Sequence, residues 1–202
     1  MLNLISHLKT GSIDATVVQI SQKTNLHVIS NVSSTSFGSH DFDERIVQYI
    51  LAQRTQRIKR LPKSVPKPRF DEFEVARAYR DLMANIKTEI SIENAVHVDL
   101  NIVSGVEEAK ENELYIDKNL IVDKICRDLY DWASAHIEKA LNQADVADKN
   151  IDEIILICGN KMPGFKEYLK VAYPDKNIVT DIDEEKLAVG ASIFVIFSYK
   201  LQ

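Results

Sequence analysis

Residues 151–160, IDEIILICGN, constrain the fold more than any other stretch. Ile154, Ile155, Leu156, Ile157 and Cys158 follow one another without alternation, and the run ends at a turn on Gly159. A strand over 154–158 with apolar side chains on both sides is predicted to be covered on both faces, as in an α/β sheet. A helical pattern precedes it, and a short helix over 165–172 and a strand over 178–180 follow. The class expected is α/β.

The N-terminal third adds strands of another kind. Ile13 and Ala15 alternate with Asp14 and Thr16, and the β-branched Val17, Val18 and Ile20 extend the pattern. Residues 3–20 read as strand, turn, strand, with a polar turn from His7 to Ser12, and residues 26–30 supply a third strand after a turn at 22–25. The three make an antiparallel meander. A loop, SSTSFGS, then leads to a helix capped by Asp41 or Asp43, with Ile46, Val47, Ile50 and Leu51 as its apolar stripe. Three prolines within LPKSVPKP mark a long surface loop. Residues 70–90 are predicted helical, with Phe73, Val75, Ala76, Tyr79, Leu82, Met83 and Ile86 apolar. Residues 90–103 alternate as a strand, with a second short strand near 112–115. Asp117 opens one long helix reaching Asn142, with Ile121, Ile125, Leu129, Trp132, Ile137 and Leu141 toward a core. Tyr130 is assigned to that core as well, and Asp183 is expected to cap a last helix over 184–199.

The chain has 202 residues, 45% of them apolar, enough for one domain or two small ones with a real core. A net charge of −5 argues against nucleic acid as the main partner. The basic cluster Arg54, Arg57, Lys59 and Arg60 has no interleaved aromatics and reads as a solvated helix end. No stretch is apolar enough to span a bilayer, and no signal peptide is visible at the N-terminus. Cys126 and Cys158 have no metal-ligand spacing, and Cys158 reads as a small buried hydrophobe. A reducing, cytoplasmic location is expected. None of the five histidines lies four residues from another, so no zinc site is expected. Asp41/Asp43 and Glu184/Glu185 read as helix caps, not as acid–base pairs.

Four stretches, taken in order, are similar to one family. LKTGSIDATVVQI falls where the family has a Leu-Gly-Gly-Gly-Thr-Phe-Asp hairpin, and FGSHDFDERIVQYI where it has Leu-Gly-Gly-Glu-Asp-Phe-Asp before a helix. HIEKALNQADVADKNIDEIILICGN matches the helix and strand before its Gly-Gly-Ser turn, and DEEKLAVGAS the start of its last helix. The chain resembles lobe II of the nucleotide-binding domain of Hsp70 chaperones, a branch of the actin and sugar-kinase superfamily. The resemblance covers nearly the whole chain. It implies an RNase H-like subdomain IIA, residues 1–36 and 122–202, carrying an inserted α+β subdomain IIB at 37–121. It also implies that a lobe I should precede residue 1 and that a peptide-binding domain should follow residue 202.

The same resemblance marks positions where nucleotide contacts would fall. The three glycines of the phosphate loop become Lys9, Thr10 and Gly11, and the metal-side aspartate becomes His7. Ser12 keeps a hydroxyl and Asp14 its carboxylate. Lys9 could serve as a charged phosphate ligand, or the turn could be a plain hairpin, which is the reading preferred. Gly-Gly-Glu becomes Gly38-Ser39-His40. A Glu, a Lys and a Ser that hold the ribose and adenine become Arg80, Met83 and Lys87. Gly159, Asn160 and Lys161 replace the adenosine turn and its arginine, and lysine lacks the flat stacking face of a guanidinium. Each lost buried hydrogen bond costs about 1–3 kcal/mol. Three such losses and a failed phosphate loop outweigh micromolar affinity, roughly 8 kcal/mol.

The expectation is therefore an Hsp70-like lobe II whose nucleotide site is vestigial at Gly11, Ser12, Asp14, Gly38, Gly159, Asn160 and Lys161. It would bind protein partners, with residues 37–121 in the place where nucleotide-exchange factors grip the family, and would lack ATPase activity of its own. No catalytic residue, metal ligand or bound cofactor is assigned. The alternative is a piece of a divergent, ATP-binding chaperone ATPase completed by a lobe I, which would bind ATP or ADP with magnesium.

Overall fold

The computed structural model describes residues 1–21, 25–60, 63, 71–100, 113–157, 162–180, 182, 185, 186 and 190. The chain divides into two compact units, residues 1–39 with 130–202, and residues 40–129.

The first unit is built on a five-stranded mixed sheet. Strands β1 (Leu2–Leu8), β2 (Ile13–Ser21) and β3 (Asn25–Ser34) form the antiparallel meander. β1 also pairs in parallel with β6 (Glu153–Ile157), and β6 with β7 (Asn177–Val179), giving the order β3-β2-β1-β6-β7. Residues paired across strands share a face. Leu4, Leu8, Ile13, Ala15, Val17, Val32, Ile154 and Leu156 thus line one apolar side, all nearly sealed from water. Helix α4 (Arg127–Gln143) reaches this side, where the Ser30 hydroxyl donates to the Ala140 carbonyl at 2.7 Å. Helix α5 (Phe165–Ala172) joins β6 to β7, the crossover that parallel strands require. Tyr130 donates to the Pro163 carbonyl and stacks on Phe165 and Tyr168. The α/β class is as expected.

Two details differ. β6 is not covered equally on both faces: Ile154 and Leu156 are buried while Ile155 and Ile157 are half-exposed. Trp132 is half-exposed, against Phe37 and His136. The helix expected from Asp117 is also interrupted before α4. Asp117 accepts from the Leu120 amide and caps α3 (Lys118–Leu120), which runs into one π-helical turn, Ile121–Ile125, and breaks at Cys126. Beyond the break, Tyr130, Ile137 and Leu141 are buried as expected, together with Ala133, Ser134 and Ala140, while Leu129 and Trp132 are only half-buried. One continuous helix from Asp117 was the wrong reading.

The second unit contains most of α1 (Ser39–Arg60), α2 (Glu72–Glu93) and the antiparallel pair β4 (Ala95–Asp99) and β5 (Glu113–Asp117). α1 starts at Ser39, so Asp41 lies inside its first turn instead of capping it. α2 begins at the Asp71 cap, whose carboxylate accepts from the Phe73 amide, and ends at Asn94 with φ 62°. It continues past Ile90, and β4 starts only at Ala95. Phe73 is 68% exposed and outside the core. Arg54 and Arg57 are not merely a solvated helix end, because they donate to the carbonyls of Leu100 and Glu113. Arg45 forks onto Asp128 at 2.7 and 3.0 Å, within the unit.

Cys126 is fully buried, and burial pushes its thiol up to about 12. Cys158, most of the proline loop and most of residues 184–199 lie outside the described residues. Among the described residues, no helix is long and apolar enough to cross a membrane.

Candidate functional site

In the first unit the expected phosphate-loop residues surround one hairpin tip. β1 and β2 pair as far as Leu8 and Ile13, and the Lys9 amide donates to the Ser12 carbonyl at 2.8 Å. Thr10 and Gly11 form the exposed tip. Gly11 does not use a left-handed φ, and a Cβ added there would meet no atom within 4 Å. Neither turn geometry nor packing within the chain requires glycine at this position.

Gly38 is the opposite case. A Cβ there would lie 2.3 Å from the Thr10 carbonyl oxygen and 2.6 Å from the Gly11 Cα. Both are backbone atoms with nowhere to go. The Ser39 amide donates to the Lys9 carbonyl at 2.8 Å, so the first residue of α1 is tied to the hairpin. Gly38, a vestigial site position in the sequence reading, allows the close passage of one backbone over another.

The cation at this tip already has an anion. Lys9 Nζ lies 2.7 Å from Asp14 Oδ2, with the two side chains 51% and 23% exposed. Burial pushes the Asp14 carboxyl up, but the Lys9 ammonium and Ser33 hydroxyl outweigh it and hold the carboxyl below the usual range. His7 stands opposite Asp14 in the strand register. Ser12 is half-exposed beside them. The tip therefore brings Gly11, Ser12, Asp14 and Gly38 together, while Gly159, Asn160 and Lys161 lie outside the described residues.

In the second unit Arg80, Met83 and Lys87 form one stripe of α2, at three- and four-residue spacings. Arg80 forks onto both Glu44 oxygens of α1 at 2.8 and 2.9 Å. Lys87 meets Asp43 at 2.6 Å, with side chains only 12% and 24% exposed. Met83 is 3% exposed. The Arg80 guanidinium and the Gln48 amide hold the Glu44 carboxyl down to about 2. The acidic partners escaped the sequence reading, which treated Asp43 as a cap. The available signal was the adjacent pair Asp43-Glu44 facing two cations seven residues apart. Among the described residues, no group of three His, Cys, Asp or Glu side chains could hold a metal ion.

The profile of the family described as Hsp70 protein matches residues 4–197. The chain belongs to the Hsp70 family. Its α/β fold accords with the actin-like ATPase fold of Hsp70 proteins. Chaperone protein DnaK of Thermotoga petrophila is 26% identical over 196 residues, which cover 94% of this chain and 31% of that protein. DnaK of Elusimicrobium minutum is 25% identical, over 94% of this chain and 30% of the relative. Heat shock 70 kDa protein 6, chloroplastic, of Arabidopsis thaliana is 23% identical, over 94% and 26%. This Hsp70 chain thus spans about a third or less of the length of the curated relatives it matches.

Proposed function

We propose that this Hsp70-family chain is a lobe II, with the first unit as its subdomain IIA and the second as IIB, and that it acts as a protein-binding or regulatory module without ATPase activity of its own. One observation carries this reading. The α2 positions expected to hold ribose and adenine hold α1 instead: Arg80 pairs with Glu44, Lys87 with Asp43, and Met83 is buried. A nucleotide would have to break two ion pairs before gaining a contact, and removing one partner of a shielded pair leaves the other uncompensated. At the hairpin tip, Asp14 neutralises Lys9, which weakens its attraction for phosphate. These residues do not fit an adenine nucleotide with magnesium. The partner expected is a protein gripping residues 37–121 in the manner of an exchange factor, in the cytoplasm.

The second reading, a piece of an ATP-binding chaperone completed by a lobe I, is favoured by Gly11, whose open surroundings would admit phosphate. Thermal unfolding with ADP or ATP and magnesium separates the two. Ligand at a hundredfold excess over its Kd stabilises by about 2.7 kcal/mol. For a chain of this size that is a rise of roughly 5–10 °C. No rise is expected at millimolar nucleotide, and a rise of that size would favour the ATP-binding reading.

A further inference from the structure

The end of α1 carries a segregated charge. From Arg45 to Phe70 the sequence holds eight Lys or Arg residues and no Asp or Glu, in a chain of net charge −5. Cations near the C-terminus of a helix answer its dipole and its open carbonyls, which explains part of such a run. Arg54 and Arg57 have work within the unit, donating to the Leu100 and Glu113 carbonyls at 3.1 and 3.0 Å. Lys59 and Arg60 in the last turn, and Lys63 beyond it, are different. All three are exposed, and among the described residues none has an ion-pair or hydrogen-bond partner.

We propose that Lys59, Arg60 and Lys63 dock an acidic segment of a partner protein. The inference rests on the reading of the second unit as the partner-binding part of the chain and supplies the chemistry of that partner. Charge complementarity selects the occupant, because opposite charge steers encounter and fixes register while like charge is rejected. Nucleic acid fits less well. A polyanion would meet net repulsion from the rest of the chain, and residues 54–63 include no aromatic side chain on which a base could stack. A lipid surface fits less well too, because a surface-lying helix needs a free apolar face. The apolar side chains of α1, Phe42, Ile46, Val47 and Ile50, are all buried inside the fold.

Fluorescence anisotropy of a labelled oligoglutamate peptide, titrated with this chain, tests the proposal. Saturable binding is expected at low salt, weakening as added salt screens the exposed charges. Lys59→Glu with Arg60→Glu should weaken it by about tenfold or more, since the peptide would then face like charge. Lys139→Glu with Lys166→Glu, exposed on α4 and α5, changes the net charge equally and should leave binding unchanged. No binding at low salt, or equal losses in the two double variants, would overturn the proposal. So would tighter binding of labelled oligothymidylate or of phosphatidylserine vesicles. Binding that appears only after Glu107, Glu108 and Glu111 are changed to glutamine would also overturn it, by giving the cations to this chain's own segment between β4 and β5. Should the reversed variant fail to fold, Lys59→Gln with Arg60→Gln carries the same comparison. Absence of peptide binding without a nucleotide-induced rise in Tm sinks this inference alone; a nucleotide-induced rise counts against the reading on which it rests.

Discussion

At the scale of single residues, the two glycines beside the hairpin tip separate what the fold needs from what it tolerates. Gly38 has backbone 2.3 Å from where a Cβ would sit, whereas nothing lies within 4 Å at Gly11. Gly38→Ala should destabilise the chain by about 1–3 kcal/mol, the range for an overpacked site. Gly11→Ala should be neutral or stabilise by about 0.4–1 kcal/mol through the unfolded state. Urea unfolding of both variants checks the contrast; equal losses would remove the distinction. Sequence alone does not tell these glycines apart, because both fall at positions where the resemblance puts phosphate contacts. The difference comes from a chain segment brought back over the tip.

At the scale of elements, two ion pairs join α1 and α2 where the resemblance puts ribose and adenine contacts. Glu44 has its carboxyl lowered from 4.5 to about 2 by Arg80 and Gln48. A carboxyl depressed by folding contributes stability that is complete above its unfolded pKa and is lost as pH falls through its folded value. The Glu44 contribution is therefore whole above about pH 4.5 and disappears toward pH 2. Arg80→Ala should lower the urea midpoint at pH 5 more than at pH 2; an equal loss at both would contradict the pairing. The Asp43–Lys87 pair is better shielded than a surface pair. A double-mutant cycle to alanine should give a coupling of about 1–2 kcal/mol, above the usual 0–1 for exposed pairs. Much at this scale was legible from local pattern: the meander, α5 and both central helices follow from periodicity. The boundaries were not. Alternation suggested a strand from Ile90 onward, but the helical stripe through Met83, Ile86 and Ile90 keeps residues 90–93 in α2 until Asn94 turns left-handed. The π-turn at Ile121–Ile125 was invisible because Ile121 and Ile125 keep normal helical spacing.

At the scale of the whole molecule, the chain matches the Hsp70 family over residues 4–197, its described residues form an α/β fold, and Lys9, Arg80 and Lys87 pair with Asp14, Glu44 and Asp43. The family was legible because order and spacing of several motifs persist even where their individual residues change. The use of Arg80 and Lys87 was not, since it depends on which helix packs against α2. Calorimetric titration of the chain with ADP and magnesium tests the central claim most directly. The account predicts no saturable heat at ligand concentrations well above the micromolar range. A one-site isotherm with micromolar Kd, roughly −8 kcal/mol, would contradict it.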